Sequence, residues 1–168
     1  MSEPRPSGAA GLVGLRVSAS LLSEVFQHLL TAAPCEGVGL LAGIIDGSWA
    51  QATAFYQGTN VDASPTRYTM APEEVISAFR DMRSREWRLA AIVHSHPASV
   101  PVPSATDLME AYYPEALLLI VGLATRPPIA RCWRLVSNLA APEKEVVEVV
   151  LSVGGREHRG QRDLYCQK

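Results

Sequence analysis

The sequence predicts a single α/β domain in which a curved, mixed β-sheet packs against helices. The chain has 168 residues, of which 48% are hydrophobic and 19% charged. A chain of this length and composition forms one domain with a sizeable core. Strand-like apolar runs are interrupted by segments with helical periodicity. That alternation favours a mixed sheet with helices packed on it.

The first third of the chain predicts a strand, a helix and a hairpin. We expect a strand over 13–17 and a helix over 18–33 that begins at a serine able to cap it. Its leucines, valine and phenylalanine recur at helical spacing and form one buried stripe. The strand-like runs 37–45 and 49–56 follow, and Asp46-Gly47 joins them as a hairpin.

The remaining elements alternate in the same way. We expect a loop over 58–67, a short strand over 67–70, and a helix over 72–86 whose proline and two glutamates suit a first turn. The proline-rich loop 97–103 leads to a short helix over 104–113. Further strands are expected over 89–93, 116–123, 129–136 and 144–152.

Composition at the chain ends sets the domain limits that we expect. Residues 1–11 are rich in Pro, Gly and Ser and predict a flexible lead-in, whereas 12–153 carry the predicted domain. Residues 154–168 predict a loose, polar tail.

Charge and cysteine content exclude several classes of function. The net charge of −2 provides no basic field for nucleic acid or for an anionic membrane. The sequence has no apolar run of membrane-helix length and no signal-peptide pattern at its N-terminus. Cys35, Cys132 and Cys166 form no closely spaced pair, which favours a reduced, cytoplasmic compartment. Exposed sheet edges would allow a homodimer, although no residue pattern demonstrates one.

The strand predicted over 89–93 runs directly into His94-Ser95-His96. Alternate side chains of a strand share a face, so His94 and His96 point the same way. Two imidazoles on one face can bind one zinc ion, and Asp107, eleven residues further on, offers a third ligand. Two histidines and one aspartate leave the fourth position to water, as in catalytic zinc sites.

Simpler interpretations exist for these residues. A His-x-His pair occurs by chance, and a lone histidine such as His28 or His158 belongs more often to the core or the surface than to a metal site. Ser104-Ala-Thr-Asp107 is close to a capping box, in which the serine and the acid close the first turn of a helix. The two roles are compatible, because a capped helix start would hold Asp107 rigidly toward the histidines.

Together these residues resemble the JAMM motif of the MPN-domain metallopeptidases. His-Ser-His-Pro at 94–97 is followed, after the proline-rich loop, by Ser104-x-x-Asp107. The family has a glutamate further upstream, and the matching segment 34–43 places Glu36 there.

The resemblance covers nearly all of the predicted domain, from about 15 to 151. The segment 60–72 is similar to that of the prokaryotic branch. One departure is Val38, where prokaryotic members often carry cysteine, while here Cys35 precedes the glutamate. Neither position is a metal ligand in the family.

The resemblance implies a fold, a cofactor and a reaction. The fold would be a single MPN-like domain with a cytidine-deaminase-like layout. His94, His96 and Asp107 would hold Zn²⁺, which lowers the pKa of water toward about 7. Glu36 would act as general base, and Ser104 would donate a hydrogen bond to the developing oxyanion. The substrate would be a peptide or isopeptide bond after the C-terminal Gly-Gly of a ubiquitin-like or sulfur-carrier protein.

Other functions fit the sequence less well. A catalytically silent MPN module would only mediate assembly, and a RadC-like protein of DNA metabolism usually has asparagine in place of Ser95. A zinc nucleobase deaminase needs His-x-Glu and Cys-x-x-Cys, but His96 follows the spacer and the chain has no Cys-x-x-Cys. A cysteine hydrolase would use Cys35 with a histidine. The complete set of metal and acid/base positions favours the metallopeptidase.

Overall fold

The computed structural model describes residues 11–136 and 144–158. Within these ranges the chain forms eight strands and three α-helices. In chain order they are β1 (Gly14–Val17), α1 (Ala19–Ala32), β2 (Val38–Asp46), β3 (Trp49–Gly58), α2 (Pro72–Ser84), β4 (Arg88–His96), α3 (Ala105–Met109), β5 (Leu117–Gly122), β6 (Ile129–Val136), β7 (Glu145–Val153) and β8 (Arg156–His158). None of the helices in the described ranges is long and apolar enough to cross a membrane.

The strands form one mixed sheet that curves until it closes on itself. Their order is β1-β3-β2-β4-β5-β6-β7-β8, and β1 also pairs with β7. The pairs β1–β3, β1–β7 and β4–β5 are parallel, and the other pairs are antiparallel. The mixed, curved sheet expected from the sequence is therefore confirmed.

Helices cover the two faces of the sheet around β4. On one face Val25 and Leu29 of α1 belong to the same buried cluster as Val93. On the other face Met82 of α2 belongs to a second cluster with Ile92. Polar side chains are rare in a strand that is buried on both faces. The two buried histidines at the end of β4 are therefore informative about function.

Two local signals in the sequence are confirmed. Ser18 caps α1, because its hydroxyl oxygen accepts a hydrogen bond from the Leu21 amide at 3.1 Å. The Asp46-Gly47 turn joins β2 to β3, with Gly47 at a φ of +57°.

Three expectations are wrong in detail. The helix expected over 104–113 ends at Met109, with Glu110 as its C-cap; Pro114 in addition disfavours helical backbone at Tyr113. The short strand expected over 67–70 is reduced to one isolated bridge, between Asn60 and Met70, since side-chain hydrogen bonds organise this loop instead.

The third concerns the start of the tail. Residues 154–155 form a turn with both glycines at positive φ, and β8 then pairs with the end of β7. The chain therefore stays in the sheet through residue 158, where the sequence predicts a loose tail. Residues 1–10 and 159–168 lie outside the described residues, so the lead-in and the rest of the tail stay predictions.

Candidate metal centre

The end of β4 brings two imidazoles together on one face of the strand. His94 and His96 are 0% and 4% exposed, and their Nε2 atoms lie 3.2 Å apart. Hydrophobic residues pack both faces of the strand, so its backbone holds the two rings in a fixed relation. The expectation that both histidines share a face is confirmed.

Asp107 approaches both rings from the first turn of α3. Its Oδ1 lies 3.3 Å from His94 Nε2, and its Oδ2 lies 3.3 Å from His96 Nε2. The Ser104 amide donates to Oδ2 at 2.7 Å, and the Asp107 amide donates to the Ser104 hydroxyl oxygen at 3.1 Å. The capping box expected from the sequence is thus present, and it orients the carboxylate toward the histidines.

The donor set suits a zinc ion. One ligand atom from each of the three residues lies within 4.8 Å of the others. The Nδ1 of His96 lies 2.8 Å from the Val100 carbonyl oxygen and can donate to it, which leaves the Nε2 lone pair directed at the other two residues. Two imidazole nitrogens and one carboxylate form the three-ligand arrangement of open, catalytic zinc sites.

The charge states of His94 and Asp107 fit the same interpretation, whereas that of His96 describes the metal-free protein. Burial lowers the pKa of His94, which favours the neutral imidazole that binds metals. Burial acts against the charge of Asp107, yet the hydrogen bonds from both histidines outweigh it and hold its pKa well below the usual range. Burial also opposes the charge of His96, but in the metal-free protein its hydrogen bonds to Asp107 and to the Val100 carbonyl raise its pKa overall. A metal ion would therefore take the place of the proton on His96 Nε2.

Glu36 lies opposite His96, just before β2 begins. Val38 pairs with His94 across the antiparallel β2–β4 ladder. Two hydrogen bonds extend the ladder, since the Gly37 amide donates to Ser95 Oγ at 2.8 Å and the Ser95 amide donates to the Gly37 carbonyl at 3.0 Å. Glu36 is therefore brought level with His96, although 60 positions of sequence separate them.

The carboxyl group of Glu36 is buried, and one of its oxygens has no hydrogen-bond partner among the described residues. The residue is 4% exposed, and the oxygen without a partner is Oε2. Burial raises its pKa to about 7, with His96 opposing the rise and Asp107 adding to it. A carboxyl group of this kind can take up and release a proton near neutral pH.

Ser104 lies at the exposed edge of the site. Its hydroxyl oxygen accepts the capping hydrogen bond from Asp107. A serine hydroxyl has one proton to donate besides its lone pairs, so the cap leaves that proton available.

Three residues with structural roles at the site were not found by the sequence analysis. Tyr68 stacks on His94 with ring centroids 4.5 Å apart and planes 28° apart. Ser95 ties β4 to the segment that carries Glu36. Asn60 donates to the Glu36 carbonyl oxygen at 2.9 Å. The only signal was the position of Tyr68 and Asn60 in the segment that resembles the prokaryotic branch.

Comparisons with known proteins agree with this geometry. The family described as prokaryotic homologs of the JAB domain matches residues 18–136. A probable TtuB-protein conjugate cleaving protease of Thermus thermophilus is 39% identical over 107 residues, 63% of this chain and 68% of that protein.

Two longer matches cover most of the domain. A CysO-cysteine peptidase of Mycobacterium tuberculosis is 32% identical over 139 residues, 81% of this chain and 91% of the relative. The solution structure of protein DSY2949 from Desulfitobacterium hafniense superposes with a TM-score of 0.69 at 30% identity, over 83% of this chain and 93% of that one.

Proposed function

Because this chain belongs to the family of prokaryotic homologs of the JAB domain, we propose that it is a zinc-dependent hydrolase. Its substrate is the peptide or isopeptide bond after the C-terminal Gly-Gly of a ubiquitin-like or sulfur-carrier protein. The observation that carries the proposal is the convergence of His94 Nε2, His96 Nε2 and the Asp107 carboxylate on one point beside the buried Glu36.

His94, His96 and Asp107 are the residues that would hold the metal. A bound zinc ion supplies Lewis acidity, which makes water a nucleophile at neutral pH and polarises a carbonyl group. The contact between His96 and the Val100 carbonyl and the capping box at Asp107 keep two of the ligands oriented.

Glu36 is the general base. In the metal-free site burial raises its pKa to about 7. As a buried carboxyl group that is not a metal ligand, it is free to accept a proton from the attacking water and later deliver that proton to the leaving amine. Ser104 donates a hydrogen bond from its hydroxyl group to the oxyanion that develops on the scissile carbonyl when water attacks. The capping hydrogen bond that holds the hydroxyl beside Asp107 supports this role.

The substrate class follows from the names of the relatives together with the resemblance of the motif. One relative is named for cleaving a protein conjugate and another for acting on CysO-cysteine. In both names the substrate is a protein joined to another group. This supports a protein as the partner of this chain rather than a free small molecule or a nucleic acid. An extended Gly-Gly tail can lie beside a sheet edge where side chains would not fit. We further propose that the enzyme acts in the cytoplasm.

The test is cleavage of a ubiquitin-like protein fused through its Gly-Gly tail to a reporter protein. We expect mass spectrometry to locate the cut after the second glycine, with zinc restoring the activity that a chelator removes. The His96→Ala variant is the matched control and should not cleave. A folded wild-type protein that binds zinc but cuts no such fusion would refute the proposal and favour the silent assembly module instead.

A further inference from the structure

We propose that Asn60 is a positioning residue that holds the main chain of Glu36 in its working place. The inference rests on the proposed function, in which Glu36 is the base. The side-chain hydrogen bonds of Asn60 go to Glu36, Asp62, Arg67 and Thr69, and none of them goes to His94, His96 or Asp107. Asn60 lies in the loop over 59–71, which joins β3 to α2.

The main chain of Glu36 takes its hydrogen bonds from this loop rather than from the sheet. Strand β2 begins only at Val38. The Glu36 amide donates to the Ser64 carbonyl at 2.8 Å, and the Glu36 carbonyl accepts from Asn60 Nδ2 at 2.9 Å. The backbone amide and the backbone carbonyl of Glu36 therefore both have their hydrogen-bond partners in the loop.

The amide side chain of Asn60 is fully used. Its Nδ2 also donates to the Arg67 carbonyl at 3.0 Å, and its Oδ1 accepts from the amides of Asp62 and Thr69, each at 3.1 Å. An asparagine amide offers two N–H donors and two lone pairs, and all four are occupied here. Three of the bonds lie within the loop, and the fourth reaches across to Glu36.

The same amide also fixes the part of the loop that faces the histidines. Arg67 and Thr69, both bonded to Asn60, flank Tyr68, whose ring stacks on His94. Arg67 in addition pairs with Glu110, just after α3. Because one side chain ties these contacts to Glu36, its loss lets the base move relative to the histidines.

Asn60 has hydrogen bonds within the loop and one hydrogen bond to Glu36, and two variants remove different sets of these bonds. Asn60→Ala removes all four hydrogen bonds. Asn60→Asp keeps an oxygen that accepts from the Asp62 and Thr69 amides but has no N–H for the Glu36 and Arg67 carbonyls. Thr69→Val is the matched control, because it breaks only the hydrogen bond of 2.7 Å from the threonine hydroxyl to Asp62 within the same loop.

The kinetic experiment is a double-mutant cycle with Glu36→Gln, measured with zinc bound on the Gly-Gly reporter fusion. We expect Asn60→Ala and Asn60→Asp each to lower kcat by about 10- to 100-fold, with KM changed by less than about threefold. In the Glu36→Gln background, followed over long incubations, Asn60→Ala should change kcat by less than about twofold. A fall as large as in the wild type, or an equal fall in Thr69→Val, would overturn the inference.

A second measurement does not depend on activity. In native-state hydrogen exchange, the Glu36 and Gly37 amides should exchange at least about tenfold faster in Asn60→Ala than in Thr69→Val. Unchanged exchange would overturn the inference even if activity fell. If the wild type cleaves no Gly-Gly fusion, the proposed function fails, and the exchange rates alone decide whether Asn60 holds Glu36.

Discussion

Replacing Glu36 by glutamine is expected to stabilise the metal-free protein above neutral pH. In the zinc-bound protein the same replacement is expected to remove most of the catalytic activity. Burial raises the pKa of this carboxyl group from 4.5 to about 7. Between these two pH values the folded state keeps a proton that the unfolded chain releases. The free energy of unfolding of the wild type therefore falls as pH rises through this window, and the contribution is lost above pH 7.

The size of the effect follows from the shift in pKa. At about 1.36 kcal/mol for each pKa unit, the rise to about 7 corresponds to roughly 3 kcal/mol. Glutamine does not titrate, so the variant keeps the stability that the wild type loses. For a domain of this size each kcal/mol moves Tm by about 2–4 °C, which predicts a Tm roughly 6–12 °C higher for the variant at pH 8. The difference should nearly vanish at pH 4.5.

The assay is thermal unfolding by circular dichroism in the presence of a chelator, at a series of pH values from 4.5 to 8.5. Glu24→Gln, which removes an exposed carboxylate of α1, is the control for the change in net charge. With zinc bound, Glu36→Gln should keep its metal while kcat falls by at least about 100-fold. If the Tm of wild type and of Glu36→Gln changed in parallel with pH, the raised pKa of Glu36 in the folded protein would be refuted. An active Glu36→Gln variant would refute its role as general base.

Three further substitutions test the rest of the site. His96→Ala should lose zinc and activity together, because two remaining ligands hold the ion poorly; full occupancy by elemental analysis with undiminished turnover would contradict the metal site. Ser104→Ala should keep zinc and lower kcat by about 10²- to 10³-fold. If Ser104 only caps α3, the variant protein should instead lose about 1 kcal/mol of stability with little change in kcat. Measuring kcat and Tm on one sample distinguishes the two roles. Ser95→Ala leaves the buried Gly37 amide without its side-chain acceptor and should lower the free energy of unfolding by about 1–3 kcal/mol; an unchanged denaturation midpoint would count against that contact.

The parts of the site that the sequence predicts are those set by short-range rules. The two histidines share a face because strand side chains alternate, and Asp107 is oriented by a capping box that four consecutive residues define. The position of Glu36 follows from no local rule, because it depends on the pairing of Val38 with His94. Only the resemblance to a family supplied it.

The features that the sequence analysis missed depend on contacts between distant parts of the chain. Strand β8 looked like a loose tail, because two glycines and charged residues are typical of disorder as well as of a tight turn. The loop around Asn60 looked irregular, since its order comes from one side chain bonding backbone groups and not from a periodic pattern. Such side-chain-to-backbone bonds leave no periodic signal along the sequence.

The closure of the sheet by β1 sets an order of events during synthesis of the chain. Leu15 pairs with Ala50 on one side and with Leu151 on the other, so the second pairing joins residues 136 positions apart. Contacts at such separation carry a large loop-closure entropy and slow folding. The residues of the candidate metal centre and the proposed base lie between Glu36 and Asp107, and the ribosome makes them before β7. We therefore expect the candidate site to be able to assemble on a still open sheet, with the pairing of β1 with β7 as a later step.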